Sequence, residues 1–209
     1  MHPGRRDGWY GRVYAALLER FHHHYGPLVA ERKRRLLGGL EGTVVEIGAG
    51  TGANLPFLHP SVRWLGVDPN PYMRRYFERT ARRYRVAARL VEGSAEQLPL
   101  DDATADAAIS TLVLCCVPDP ETALREILRV LKPGGRFVFL EHVAAPVGTR
   151  TRRRQRLVRP LWRRLADGCC PDRETWRWIE AAGFAGVSYE RFALRLPIAG
   201  PHIAGVAVR

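Results

Sequence analysis

The stretch Val44-Val45-Glu46-Ile47-Gly48-Ala49-Gly50-Thr51-Gly52-Ala53-Asn54 decides how the rest of the chain is read. A β-branched run carries an acidic residue, then three glycines at alternating positions turn the chain into a helical pattern that opens near Asn54. The expected local structure is strand, tight turn, helix start. Glycine tolerates positive φ and lacks a Cβ, so backbone at such a turn can lie directly against a ligand, while the helix N-terminus presents unpaired amides. The spacing is G-x-G-x-G rather than the G-x-G-x-x-G of nicotinamide and flavin sites, and no G-K-[ST] ending is present to hold a triphosphate.

Outward from the loop, a largely apolar run from Val62 to Val67 delivers Asp68 about 20 residues after Gly48, the spacing at which open α/β folds place an acid on ribose hydroxyls. Glu46 and Asp68 would then face one crevice. Two acids there suit a ligand with an amino group and a ribose, and repel a pyrophosphate. Those properties describe S-adenosylmethionine (SAM), with S-adenosylhomocysteine as product.

Val44 to Asn54 resembles motif I of the class I SAM-dependent methyltransferases. Further segments extend the likeness: Asp68-Pro69-Asn70-Pro71, Thr111-Leu112-Val113-Leu114-Cys115, Arg125 to Gly135, Glu141-His142-Val143-Ala144-Ala145, Asp167-Gly168-Cys169, Arg173-Glu174-Thr175-Trp176 and Pro201-His202-Ile203. Together they are similar to the methyltransferase-like 7 family of alkyl thiol methyltransferases, over about residues 40 to 209. The resemblance implies a Rossmann-like α/β fold with a mostly parallel seven-stranded sheet, a C-terminal antiparallel hairpin and helices on both faces. It also implies that Glu46, Gly48, Ala49, Gly50, Thr51, Gly52, Asn54, Asp68, Pro69 and Asn70 hold the cofactor. Ser94, Ala95 and Glu96 would run along the adenine, and Thr111, Leu112 and Leu114 would flank the cleft.

Composition bounds this reading. The 209 residues suit one methyltransferase domain over 41–209, preceded by an N-terminal helical lid over 1–40. A formal net charge of +12 would suit nucleic acid or an anionic membrane, yet all but Lys33 and Lys132 of the 33 basic residues are arginine. Codon usage accounts for such a bias, and nucleic acid is not expected as a partner. The four cysteines form two adjacent pairs, Cys115-Cys116 and Cys169-Cys170, without the C-x-x-C spacing of zinc sites, so reduced thiols and no metal are expected. The start Met1-His2-Pro3-Gly4-Arg5-Arg6 is polar and no apolar run reaches the ~18 residues of a bilayer span. A cytoplasmic protein is the expectation, and the hydrophobic anchor of animal family members is not carried over.

Along the chain, residues 9–37 read as a helix with a break near Gly26-Pro27, either packed on the domain edge or covering the cofactor through Tyr10, Tyr14 or Tyr25. His22-His23-His24 point in different directions on a helix and cannot share an ion. Further helices are expected over 53–58, from Asn70 to Tyr84, over 120–131, 150–166 and, capped by Asp172, over 172–182. Strands are expected over 62–67, 86–91, 104–111, 136–140, 186–195 and 202–208, and Asp106 is read as structural. The basic 150–166 segment, with Leu157, Val158, Leu161, Trp162 and Leu165 on one side, reads as a substrate lid in preference to a peripheral membrane contact.

A sulfonium methyl is already activated, so transfer needs a nucleophile held about 3 Å from it. A thiol, with pKa near 8.5, needs little help to ionise, which basic residues of the 150–166 segment could supply. His142 is the candidate for accepting or orienting the proton and Glu141 for holding it; His202 and Asp167 follow by resemblance alone, and Cys115 could line a thiol pocket. The reading is methyl transfer to a small thiol or hydrosulfide. Alternatives are a methyltransferase for a lipid amine or quinone, and a basic nucleic-acid-binding module on the same fold. An arsenic methyltransferase is disfavoured because it needs separated cysteines that converge.

Overall fold

A computed structural model describes residues 8–209; the polar start from Met1 to Arg6 lies outside the described residues. Seven strands form one sheet in the order β3-β2-β1-β4-β5-β7-β6. These are β1 (Thr43–Ile47), β2 (Arg63–Asp68), β3 (Ala87–Glu92), β4 (Ala105–Thr111), β5 (Leu131–His142), β6 (Gly186–Ala193) and β7 (Pro201–Val208). The first five run parallel; β7 lies antiparallel between β5 and β6 and pairs with both. The expected fold class, with its C-terminal hairpin, is the one observed.

Alternation along β1 explains the two layers. Val45 and Ile47 point into a core shared with Leu124 and Ile127 of α3 (Pro120–Val130) and Ile179 of α5 (Thr175–Ala181). Val44 points the other way, into a core shared with Ala15 and Leu37 of α1 (Trp9–Leu37) and Phe77 of α2 (Arg74–Tyr84). Successive side chains of a strand face opposite sides, so a strand covered on both faces is apolar throughout except where function intervenes. Glu46 is that exception.

Several elements depart from the sequence expectation. Helix α1 does not break at Gly26-Pro27: it runs unbroken with Pro27 inside it. The one ladder bond that proline removes is outweighed by burial of Tyr25 and Val29 on either side against Leu140 and Ala204. No helix follows the glycine loop; residues 53–58 reduce to a 3-10 turn, Leu55–Phe57, with Pro56 inside it. Pro60 shortly afterwards leaves no room for a longer helix. Asp172 does not cap a helix, because its carboxylate pairs with Arg159 and α5 starts only at Thr175.

Helix α4 (Arg150–Leu165) presents a different face from the one expected. Its buried residue is Gln155, which accepts from the Ala145 amide at 2.8 Å and donates to the Val143 and Ile198 carbonyls. Leu157, Leu161 and Leu165 are 82%, 63% and 66% exposed, so the apolar stripe faces outward. Asp106 is structural as expected: it accepts from the Thr43 amide and pairs with Lys132, which holds its carboxyl below the usual range.

Candidate active site

The carboxyl ends of β1, β2, β3 and β4 open into a cavity of about 550 Å³, within the size range of small-molecule sites. The glycine loop makes one wall. Gly48 sits at φ +56, and a Cβ there would fall 2.5 Å from a Val113 methyl, so no other residue fits without displacement. Asp68 ties this wall together: Oδ2 accepts from the Gly50 amide at 2.9 Å and Oδ1 from the Asn70 amide at 2.8 Å. The loop amide that a helix N-terminus was expected to leave open is therefore met by the carboxylate.

Glu46 Oε1 accepts from Asn54 Nδ2 and Oε2 from Trp64 Nε1, each at 2.9 Å. Burial pushes its carboxyl up to about 7, against the opposing effects of Trp64, Lys33 and Asn54. Lys33, also buried, is pushed down to about 8 while Glu46 works the other way. Asn54 donates as well to Thr111 Oγ1. Its Oδ1 and the Tyr25 hydroxyl are buried without partners, and both residues line the cavity. A ligand carrying amino and hydroxyl donors fits acceptors left open in this way.

Ser94, Ala95 and Glu96 line the far side, with Pro69, Asn70, Ala49, Thr111 and Leu112. Gly50, Thr51, Gly52 and Leu114 do not reach the wall. Gly50 and Gly52 act through their positive φ, Thr51 bonds His22 Nδ1 at 2.9 Å through its hydroxyl, and Leu114 lies fully in the core. Helix α1 borders the cavity: Tyr14, Leu18, His22 and Tyr25 line it, whereas the Tyr10 hydroxyl contacts the backbone at Leu165 and Asp167. Burial pushes His22 down to about 3, so it is neutral at ordinary pH. No residue of α4 lines the cavity, which corrects the reading of 150–166 as a substrate lid and as a source of positive field.

Glu141 and His142 were expected at the reacting centre, but they lie behind the wall. Glu141 is fully buried and its Oε1 accepts from the Ser110 hydroxyl and the Val113 amide. That bond pins a kink at Leu112, a non-glycine residue at φ +58. Burial pushes the Glu141 carboxyl up to about 7. His142 Nε2 lies 3.1 Å from Cys169 Sγ. Burial opposes its protonation, but the neighbouring Cys169 outweighs that and raises its pKa. His202 is likewise internal, bonded to the Gly200 carbonyl and stacked on Tyr25 and Phe192, while Asp167 does line the cavity.

The four cysteines are free thiols, but the two adjacent pairs converge, contrary to the expectation from their spacing. Sγ atoms of Cys115 and Cys116 are 3.5 Å apart, and Cys169 Sγ is 3.7 Å from Cys115, so three thiols from two distant segments meet. Cys116, not Cys115, reaches the cavity. No motif spacing in the sequence signals this convergence, which depends on the 166–170 turn returning to the end of β4.

Residues 45–139 match the family model of a methyltransferase domain. The human thiol S-methyltransferase TMT1B is 37% identical over 191 residues, spanning 85% of this chain and 78% of that protein. Human thiol S-methyltransferase TMT1A is 36% identical, spanning 92% and 84%. The chain belongs to the thiol S-methyltransferase family. Among solved structures, the geranyl diphosphate C-methyltransferase of Streptomyces coelicolor, bound to S-adenosyl-L-homocysteine, superposes with a TM-score of 0.67 at 15% identity, over 86% of this chain and 76% of that one, a likeness of fold. This thiol S-methyltransferase family member is thus a SAM-dependent enzyme.

Proposed function

We propose that the protein transfers the methyl group of SAM to the sulfur of a small thiol or hydrosulfide, giving a methyl thioether or methanethiol. When bound, SAM supplies a methyl already activated on a sulfonium. Asp68, Asn54, Gly48, Ala49 and the Ser94–Glu96 turn would hold it, with α1 as the lid that excludes water. The carrying observation is the identity shared with thiol S-methyltransferases over most of both chains.

The chemistry of the cavity supports this. A sulfonium is a cation, and acids outnumber cations around the cavity: Glu46, Asp68, Glu92, Glu96 and Asp167 line it against Lys33, while His22 is neutral because it is buried. Leu112, Val113, Cys116, Val117 and Pro118 give the acceptor side an apolar lining without a fixed strong base. That suits an acceptor that ionises unaided near neutral pH better than an amine or hydroxyl, which would need a base within hydrogen-bond reach. Glu141 and His142 support the Leu112 kink and Cys169, as positioning residues.

Labelled methyl transfer should be measured against hydrosulfide, alkyl thiols, a quinol, phosphatidylethanolamine and RNA. Saturable transfer to thiols alone is the expected result. Transfer to the quinol, lipid or RNA with silent thiols would overturn the acceptor.

Among the described residues no helix is long and apolar enough to cross a membrane. We infer a peripheral lipid contact instead, supported by the outward stripe of Leu157, Leu161 and Leu165 amid arginines. Co-sedimentation with anionic vesicles should be lost in Leu161→Glu without loss of thiol methylation in solution; equal sedimentation of both proteins would remove this contact.

A further inference from the structure

We propose that Cys115, Cys116 and Cys169 form a three-thiolate site for a trivalent metalloid, arsenic(III) being the simplest occupant. Adjacent thiols at 3.5 and 3.7 Å, with all three sulfurs within 4.8 Å of one another, already stand as the base of a trigonal pyramid. The charge balance selects the ion. Three thiolates on a trivalent centre give a neutral unit, whereas three on a divalent ion leave a net negative charge, costly where Cys115 and Cys169 are 1% and 7% exposed. Zinc also wants a fourth ligand in a tetrahedron. The nitrogens of His142 are not part of the converging group; its Nε2 lies against Cys169 alone.

The sulfurs are also ordered for the task. Cys169 Sγ receives the Trp162 indole N–H at 3.2 Å and faces His142 Nε2, so it is held from two sides. Cys115 Sγ is oriented toward the Leu112 carbonyl. Cys116 is the half-buried member and lines the cavity, which gives a small solute its route in. Cys170 stands apart, its sulfur directed at the Gly168 carbonyl and Arg173. Loading needs no oxidant or reductant: arsenous acid, As(OH)3, and three S–H groups give As(S–Cys)3 and three waters. Three As–O and three S–H bonds break, three As–S bonds form, and each thiol proton leaves in water. Arsenic remains trivalent throughout.

The test uses the full chain, kept reduced by a phosphine rather than a competing dithiol, and titrated with sodium arsenite. One arsenic per chain should bind, with X-ray absorption showing three sulfur neighbours and no oxygen. Of the four thiols, only Cys170 should remain titratable, and Trp162 fluorescence should change on loading. Cys116→Ser, at the half-buried position least able to disturb the fold, should weaken binding at least 100-fold, while Cys170→Ser should leave it intact. Arsenic bound with two sulfurs and an oxygen, retention of affinity in Cys116→Ser, no binding, or stoichiometric zinc with a nitrogen ligand from His142 would each overturn the assignment.

Discussion

On the side proposed for the cofactor the cavity is shaped by backbone: Gly48 at positive φ, amides of Gly50 and Asn70 drawn onto one carboxylate, a turn at Ser94–Glu96. On the side proposed for the acceptor the shape comes from side chains brought together from distant segments, with Leu112, Val113 and Cys116 after β4 and Asp167 beyond α4. A recognition surface made of backbone needs a few residue types at fixed local spacing. One made of side chains needs only that remote segments meet, and so leaves little pattern in the chain.

The contrast breaks most readily at Asp68. Replacing it with alanine removes the acceptor for two loop amides as well as the proposed acceptor for the ribose, at about 1.5–3 kcal/mol per charge-assisted bond. Calorimetry should show affinity for S-adenosylhomocysteine reduced on the order of 100-fold or more; unchanged affinity would dissolve the distinction between the two sides.

Glu141 tests the acceptor side through pH. Its ordinary value is 4.5 and the folded value about 7, so the folded state holds the proton more tightly. The stability this supplies is fully present below about pH 4.5 and is lost as pH rises through about 7. Glu141→Gln fixes the group neutral and should show little change in urea midpoint at pH 4, but a relative gain of up to about 3 kcal/mol at pH 8. The same decline with pH in both proteins would mean that another group titrates.

The cover sharpens the comparison with a smaller effect. Tyr14→Ala opens the α1 side of the cavity and should raise KM for SAM about tenfold, equivalent to ~1.4 kcal/mol, with a lesser change in kcat. An unchanged KM would make α1 a packing element and nothing more.

These differences mirror what the sequence alone conveyed. Short apolar runs ending in glycine or an acid placed β1, β2 and Asp68, because strand, turn and acid lie within a few residues of one another. The seven-stranded, mostly parallel sheet and its C-terminal hairpin followed from family likeness. The outward turn of Leu157, Leu161 and Leu165 was not legible, since an amphipathic pattern says that a face is apolar and not what it meets. Nor was the withdrawal of Glu141 and His142 behind the wall, which depends on how far β5 extends past β4. The thiol cluster was hidden because contact between Cys115 and Cys169 is a property of two loops, neither of which has a period.

The position of β7 has a consequence for the order of assembly. It follows β6 in the chain, yet it occupies an interior place, bonded to β5 on one side and β6 on the other. Strand β6 therefore emerges from synthesis before the only neighbour that joins it to the sheet, and β5 waits with an open edge. Closure of the sheet, and with it the burial of His202 against Tyr25 of α1, waits on β7.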